Sequence, residues 1–323
     1  MITEAKQPLV ILAGPTAAGK SALSVSLAEK IGGEIISADS MQVYRHMDIG
    51  SAKIRLEEMR GIPHHMIDVL DPAEEFNVVI FQQMVKKCLK GIYERGHIPI
   101  LTGGTGFYIQ AILYDIDFTE NEENTQLRKR LELTAAEKGS RFLHDRLKEV
   151  DEASARAIHP NNVKRVIRAL EFHELTGGRI SDHNAAERQK EPAYLSLYFV
   201  LTDHRAALYD RIDRRVEQML KEGLVEEVKG LRASGCTRDM VSMQGLGYKE
   251  ILSYLEGELT LEQAEYLIKR DTRRFAKRQL TWFKRERDVV WLPRNEYQYN
   301  DAAILAAMLE KLAELGILGP SRC

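Results

Sequence analysis

The 323-residue sequence predicts an α/β protein, with a mostly parallel sheet, flanking helices and a helical insertion. Three observations predict it. Short apolar runs alternate with helical patterns through the first 117 residues. A glycine-rich turn joins the first run to the first helical pattern. Strand patterning then stops over residues 118–193 and resumes at Tyr194.

The first strand is Leu9-Val10-Ile11-Leu12-Ala13. Gly14-Pro15-Thr16-Ala17-Ala18-Gly19-Lys20-Ser21 follows it and fits the phosphate-loop pattern of Gly, four residues, Gly, Lys and Ser or Thr. A helical pattern runs on from Ser21 to Lys30. In such a loop the backbone N–H groups and the helix N-terminus face an anion. Lys20 adds a point charge, and the Ser21 hydroxyl suits Mg²⁺. This places the chain in the P-loop NTPase-like class, shared by nucleotide-binding and ATP-binding proteins. Gly14, Thr16, Ala17, Ala18, Gly19, Lys20 and Ser21 are the candidate cradle, and Ser21 is the candidate metal ligand. The loop says that phosphate is held, not which molecule carries it.

Glu34 to Ala38 reads as a second buried strand ending at Asp39, and Met66 to Val69 as a third. Asn77 stands where a helix cap is needed, for a helix running to about Arg95, and Gly96 ends it. His97 to Thr102 is the next strand; Tyr194 to Leu201 and Val289 to Leu292 extend the sheet, and a terminal helix follows Pro293. The core is therefore expected from residues 1–117 and 194–323, and the insertion from 118–193. Ligands of open parallel sheets bind beyond the carboxyl ends of the strands. Asp39, His64-His65 and Gly103-Gly104-Thr105-Gly106 are expected there, beside the loop.

Composition narrows the function. A net charge of −2 excludes a uniformly polybasic nucleic-acid binder, so any such contact must be a local patch. Cys88, Cys236 and Cys323 lie far apart without metal-ligand spacing, which suits a reducing compartment. The stretch before the loop is too short for a secretory signal, and no apolar run approaches a membrane span. Cytoplasm is the expected location. His64-His65 has no acid or cysteine at ligand spacing, and a hydrogen-bonded structural role is expected.

Two basic segments stand out: Asn162 to Glu171 in the insertion, and Lys269 to Arg285. On a helix, Lys269, Arg273 and Lys277 form one column and Arg270, Arg274 and Arg278 its neighbour. Local acids are expected to relieve their repulsion poorly, so a polyanion would. The strand at Ile98 to Thr102 ends in Gly103-Gly104-Thr105 without the acid that nucleotide hydrolysis uses to order Mg²⁺. The nearest carboxylate is Asp39, readable as a Mg²⁺ or loop ligand or as a general base.

These segments together resemble the bacterial tRNA dimethylallyltransferase (tRNA isopentenyltransferase) family. The likeness runs through Gly14 to Ser21, Asp39-Ser40-Met41-Gln42-Val43-Tyr44, Asp48 to Lys53, His64-His65 and Gly103-Gly104-Thr105. It continues through Arg165 to Glu171, Gly245-Leu246-Gly247-Tyr248 and Lys277 to Trp282, and spans residues 8–292. Ser51 stands where Thr is common and Ile54 where Pro is common; the zinc finger of eukaryotic relatives is absent. The resemblance implies transfer of a dimethylallyl group from dimethylallyl diphosphate to N6 of the adenosine 3′ to the anticodon. It makes Asp39 the base, with Thr105 and Arg211, or else Arg215, on the diphosphate and Mg²⁺ as cofactor. Asp39, Ser40, Met41, Gln42 and Gln244 would meet the extruded adenosine and its neighbours. Lys164, Arg165, Arg168, Lys277 and Arg278 would hold the tRNA anticodon stem-loop, and Gln279 and Trp282 either contact RNA or pack inside. A monomer is expected. The rivals are a small-molecule kinase, an isopentenyltransferase of free adenine nucleotide and a non-catalytic RNA-binding module.

Overall fold

The computed structural model describes residues 6–118 and 125–318. Residues 1–5, on which the reading of the chain's start rests, lie outside them, as do Asn121 and Cys323. The chain forms two compact units: residues up to Leu113 together with those from Ala193, and Tyr114–Pro192. The Ala193 N–H donates to the Leu113 carbonyl at 2.8 Å and closes the neck between the two passages. The division therefore falls at Leu113, slightly before the position expected from the loss of strand pattern.

The first unit opens with β1 (Pro8–Ala13), α1 (Lys20–Ile31), β2 (Gly33–Ala38) and β3 (His64–His65). Next come α2 (Val78–Glu94), β4 (Ile98–Gly103) and α3 (Gly106–Leu113). The third strand is thus His64–His65, not Met66–Val69: Met66 and Asp68 have φ of 64° and 54°, and left-handed residues cannot continue a ladder. Asn77 caps α2 as its position predicts, its side chain accepting from Val79 N–H at 2.9 Å and Ile80 N–H at 3.1 Å.

The second unit is helical among its described residues: α4 (Thr125–Lys138), α5 (Ser140–Val150), α6 (Glu152–Ala157), α7 (Val163–Thr176) and α8 (Ile180–Gln189). Leu131, Leu143, Leu147, Val166, Ile167 and Leu170 form its core. Buried Asp151 caps α6 through Ser154 N–H at 2.9 Å and also accepts from Ser181 N–H at 3.0 Å.

The chain returns to the first unit with β5 (Leu195–Thr202), α9 (Arg205–Glu222) and α10 (Leu224–Ala233). It finishes with α11 (Tyr248–Leu255), α12 (Leu261–Phe283), β6 (Val289–Pro293) and α13 (Asp301–Glu314). All six strands are parallel, in the order β3-β2-β4-β1-β5-β6. Val10, Leu12, Ile35, Ile100, Phe199 and Leu201 bury one face against α1 and α13. Strands covered on both faces read as continuous apolar runs, which is why these were legible.

At the amino end of β2, Glu34 is 2% exposed and accepts from Arg95 Nε at 2.8 Å, Arg95 Nη2 at 2.7 Å and pairs with His65 Nε2 at 2.6 Å. Arg95, then His65, hold its carboxyl down at about 2 against the opposing effect of burial. A depressed carboxyl stabilises the fold above its unfolded value and loses that contribution as pH falls through the folded one. Glu34→Gln is expected to cost about 2 kcal/mol at pH 7. In urea denaturation, the gap to wild type should narrow between roughly pH 4.5 and 2, the window between those two values. A gap independent of pH would refute this account.

Candidate active site

The site begins with strand register. β4 lies between β1 and β2, and Ala13, Gly103 and Ala38 align side by side at the carboxyl edge. The phosphate loop, Asp39 and Gly104 leave from these three ends. Only glycine fits at position 103, because a Cβ would lie 2.3 Å from the Ala38 carbonyl oxygen.

The loop is held from several directions. Ala17 and Gly19 have φ of 61° and 95°, and Ala18 N–H closes a turn onto Pro15 O at 3.3 Å. Gln279 of α12, 6% exposed, accepts Thr16 N–H at 2.9 Å and donates to Gly104 O at 3.0 Å. It bridges the loop to the end of β4 and also lines the cavity described next. Arg211 Nε donates to Ala17 O at 2.9 Å, and its Nη1 to Asp203, whose side chain is fully covered, at 2.6 Å. Arg294 Nη1 reaches Ala18 O at 3.4 Å. A peptide C=O and the following N–H point in opposite directions, so holding the Ala18 carbonyl orients the Gly19 N–H away from Arg294.

A cavity opens against this loop, lined among others by Lys20, Ser21, Asp39, Thr102, Gly104 and Arg215. Lys20 Nζ donates to Pro15 O at 2.8 Å and Arg215 Nη2 to Ala52 O at 3.4 Å. Burial and then the neighbouring Arg215 push the Lys20 ammonium down to about 8, against the pull of Asp39. Burial lowers Arg215 as well, again opposed by Asp39. Two cations thus share one carboxylate, and an anion entering the cavity would balance the excess. Asp39 Oδ1 accepts Met41 N–H at 2.8 Å, which orients the carboxylate and leaves its other oxygen without a hydrogen bond among the described residues.

Other sequence candidates fall in distinct places. Ser21 is in the cavity wall, and Thr105 is not: its carbonyl starts α3 by accepting from Tyr108 and Ile109 N–H at 2.9 and 3.2 Å. Arg215, rather than Arg211, lines the cavity. Gln42 lines it too, with both amide ends engaged: Oε1 accepts from Ser37 Oγ at 2.9 Å, and Nε2 reaches Ser51 O and Ala52 O at 3.4 Å. Half-buried Met41 packs on Gly245, where a Cβ would lie 2.5 Å from Met41 Cε, while exposed Gln244 turns its amide to Arg238 O. Ser40 is half-buried beside them. His64 also lines the cavity; its Nδ1 meets Ile62 O at 2.8 Å, and burial lowers its ring. Among the described residues no three His, Cys, Asp or Glu side chains cluster to hold a metal.

The basic helix needs a correction. Acids relieve most of its first half: Lys269 pairs with Glu217 and Glu265, each at 2.6 Å, Arg270 with Asp271 at 2.9 Å, and Arg273 with Asp213. Three of those partners, Glu217, Asp213 and Asp271, lie where column counting on the same face does not look. Lys277, Arg278 and Arg285 have no acidic partner among the described residues, and they line a second, open groove with Trp282. Gly106 lets Trp282 approach α3: a Cβ there would lie 2.1 Å from the indole. On α7, Lys164 and Arg165 are exposed and Arg168 half-buried, likewise without acidic partners among the described residues. Asp203 and Arg294 escaped the sequence reading; only the fold brings them behind the loop.

Parallel sheet, phosphate loop and cationic cavity define a phosphate-loop protein whose acidic group comes from the strand-end Asp39 rather than from β4. The chain belongs to the IPP transferase family, whose sequence model matches residues 42–286. It is 58% identical over 312 residues to the tRNA dimethylallyltransferase of Lachnoclostridium phytofermentans, covering 97% of this chain and 99% of that one. With the same-named protein of Carboxydothermus hydrogenoformans it shares 51% over 285 residues, 88% of this chain and 91% of that one. The crystal structure of the Bacillus halodurans tRNA isopentenylpyrophosphate transferase matches with TM-score 0.72 and 44% identity, covering 96% and 98% of the two chains. A eukaryotic dimethylallyltransferase acting on tRNA matches with TM-score 0.78 and 32% identity, covering 89% of this chain and 74% of that one.

If the cavity takes an anion, the lowered Lys20 ammonium predicts a pH-dependent affinity. Calorimetric titration with inorganic diphosphate should show affinity falling as pH rises through about 8, where Lys20 loses its proton. Lys20→Arg stays charged and should lack that alkaline fall; comparing the two proteins cancels titration of the diphosphate itself. An identical fall in both would assign it to another group.

Proposed function

We propose that this chain transfers a dimethylallyl group from dimethylallyl diphosphate to the exocyclic N6 of the adenosine 3′ to a tRNA anticodon, releasing diphosphate. The observation that carries the reading is the cavity itself: an unbalanced pair of cations over a phosphate loop, with one carboxylate oxygen of Asp39 unengaged among the described residues. As N6 attacks, the N6–C1 bond forms, the C1–O bond breaks, and its electron pair leaves with the diphosphate. Lys20, Arg215 and the loop amides stabilise that growing charge, and it is there that electrostatic preorganisation gains most. Asp39 accepts the N6 proton, which offsets the poor nucleophilicity of an amine conjugated to a purine.

The donors fit Mg²⁺. Ser21 offers a hard hydroxyl oxygen in the cavity wall, and Mg²⁺ is commonly held by one or two protein oxygens plus substrate phosphates rather than by an all-protein cage. When bound it would add positive charge next to the diphosphate oxygens.

Lys277, Arg278 and Arg285, without acidic partners among the described residues, offer phosphate contacts beside the Trp282 ring, a combination suited to single-stranded RNA. Lys164, Arg165 and Arg168 are further candidates for backbone phosphates. A target base in a stacked loop has to be extruded to reach Asp39. Free Cys88 and Cys236 accord with a cytoplasmic enzyme, which we take to act as a monomer, and no described helix is long and apolar enough to cross a membrane.

The test is transfer of radiolabelled dimethylallyl diphosphate, with Mg²⁺, to an anticodon stem-loop, to the same loop lacking the target adenosine, and to AMP. Label is expected on the first alone. Label mainly on AMP, or none with diphosphate-binding protein, overturns the reading. Asp39→Asn should slow transfer about 10²–10⁴-fold while leaving diphosphate binding intact; equal loss of both would make Asp39 a binding group instead of a base.

A further inference from the structure

The segment from Asp48 to Lys53 lies outside any helix or strand and forms part of the cavity wall through Ser51 and Ala52. Its shape has an internal frame: Ala52 N–H donates to Ile49 O and Lys53 N–H to Asp48 O, both at 2.9 Å. What anchors it is a side chain from α10. Glu227 Oε2 accepts the N–H groups of Asp48 at 2.9 Å and Ile49 at 2.7 Å. Its Oε1 accepts the Gly50 N–H at 3.0 Å and the Tyr248 hydroxyl at 2.8 Å. Three successive amides converging on one point form a nest for an anion, and here a carboxylate of the protein fills it. Gly50 is required for this approach, because a Cβ there would lie 2.5 Å from the Tyr248 ring.

The anchored segment presents its Ala52 carbonyl to two cavity groups. Arg215 Nη2 and Gln42 Nε2 both reach that oxygen at 3.4 Å. Arg215 is otherwise without an ion pair at N···O distance among the described residues, so a neutral carbonyl is its one hydrogen-bond partner there. Moving the segment would therefore move a cation that faces the phosphate loop.

We propose that Glu227 is a positioning residue for the diphosphate site, fixing the Asp48–Lys53 turn so that Ala52 holds Arg215 and Gln42 in the cavity wall. Glu227 does not itself line the cavity. Its effect passes through Ala52 to Arg215. The inference rests on the cavity binding diphosphate.

The test is a double-mutant cycle read by calorimetric titration of the full chain with inorganic diphosphate. Glu227→Ala is expected to weaken binding about tenfold in wild type, yet add little once Arg215→Ala is present, since coupled residues are non-additive. Should Glu227→Ala fail to fold, Glu227→Gln retains one accepting oxygen and carries the same cycle. Equal losses from the Glu227 substitution in both backgrounds would mean a general structural role and overturn the inference alone. Wild type without affinity for diphosphate would overturn it together with the reading of the cavity.

Discussion

An excess of positive charge, held beside a phosphate loop with little to neutralise it, is the constraint on which the rest of this molecule depends. Lys20 and Arg215 are both driven toward the neutral form by burial and share the field of Asp39. Folding such a pair costs free energy that isolated side chains would avoid by turning to water. They stay because their surroundings are held: Pro15 O takes the ammonium, Ala52 O the guanidinium, and both carbonyls belong to turns pinned by other residues. A site preorganised in this way stabilises charge without rearranging when the charge appears.

The pinning is distributed over distant parts of the chain. Gln279 spans from Thr16 to Gly104, Arg211 and Arg294 hold the Ala17 and Ala18 carbonyls, and Glu227 holds the turn before Lys53. Glycine makes these approaches feasible where adjoining backbones or side chains leave no room for a Cβ, as at Gly103 and Gly50. The helix that looks like an RNA-binding face from its charges alone is first a structural element. Its amino-terminal cations are joined to acids of α9 and of α12 itself, and Leu208, Ile212 and Ala276 close the space between the two helices. Only toward Lys277 and Arg285 does the charge remain uncompensated among the described residues.

The loop alone is compatible with many phosphate chemistries. β4 ends without an acid and β2 ends at Asp39, and register brings Ala38 and Gly103 to the same edge, so the strand-end carboxylate stands beside the loop. An acceptor amine approaching from beyond that edge would meet the carboxylate and the departing diphosphate within one cavity.

Much of this was legible in the sequence, for local reasons. Doubly covered strands appear as apolar runs, the Asn77 cap and the phosphate loop are short-range patterns, and loss of strand pattern marks the helical insertion. The third strand was misplaced because it is two residues long and its apolar neighbours Met66 and Ile67 lead into left-handed backbone. Periodicity cannot register a ladder that short. Nor could it show Gln279 bridging the loop to β4, place Arg215 rather than Arg211 in the cavity wall, or find Glu227, Asp203 and Arg294. Those outcomes depend on which side chains from remote segments arrive at one strand edge, and on which acids stand opposite them. The sequence by itself determined the strands, the loop and its anion-binding chemistry, since each is encoded within a few consecutive residues. Tertiary structure alone decided which charges stay unpaired, because pairing is a property of distance in space.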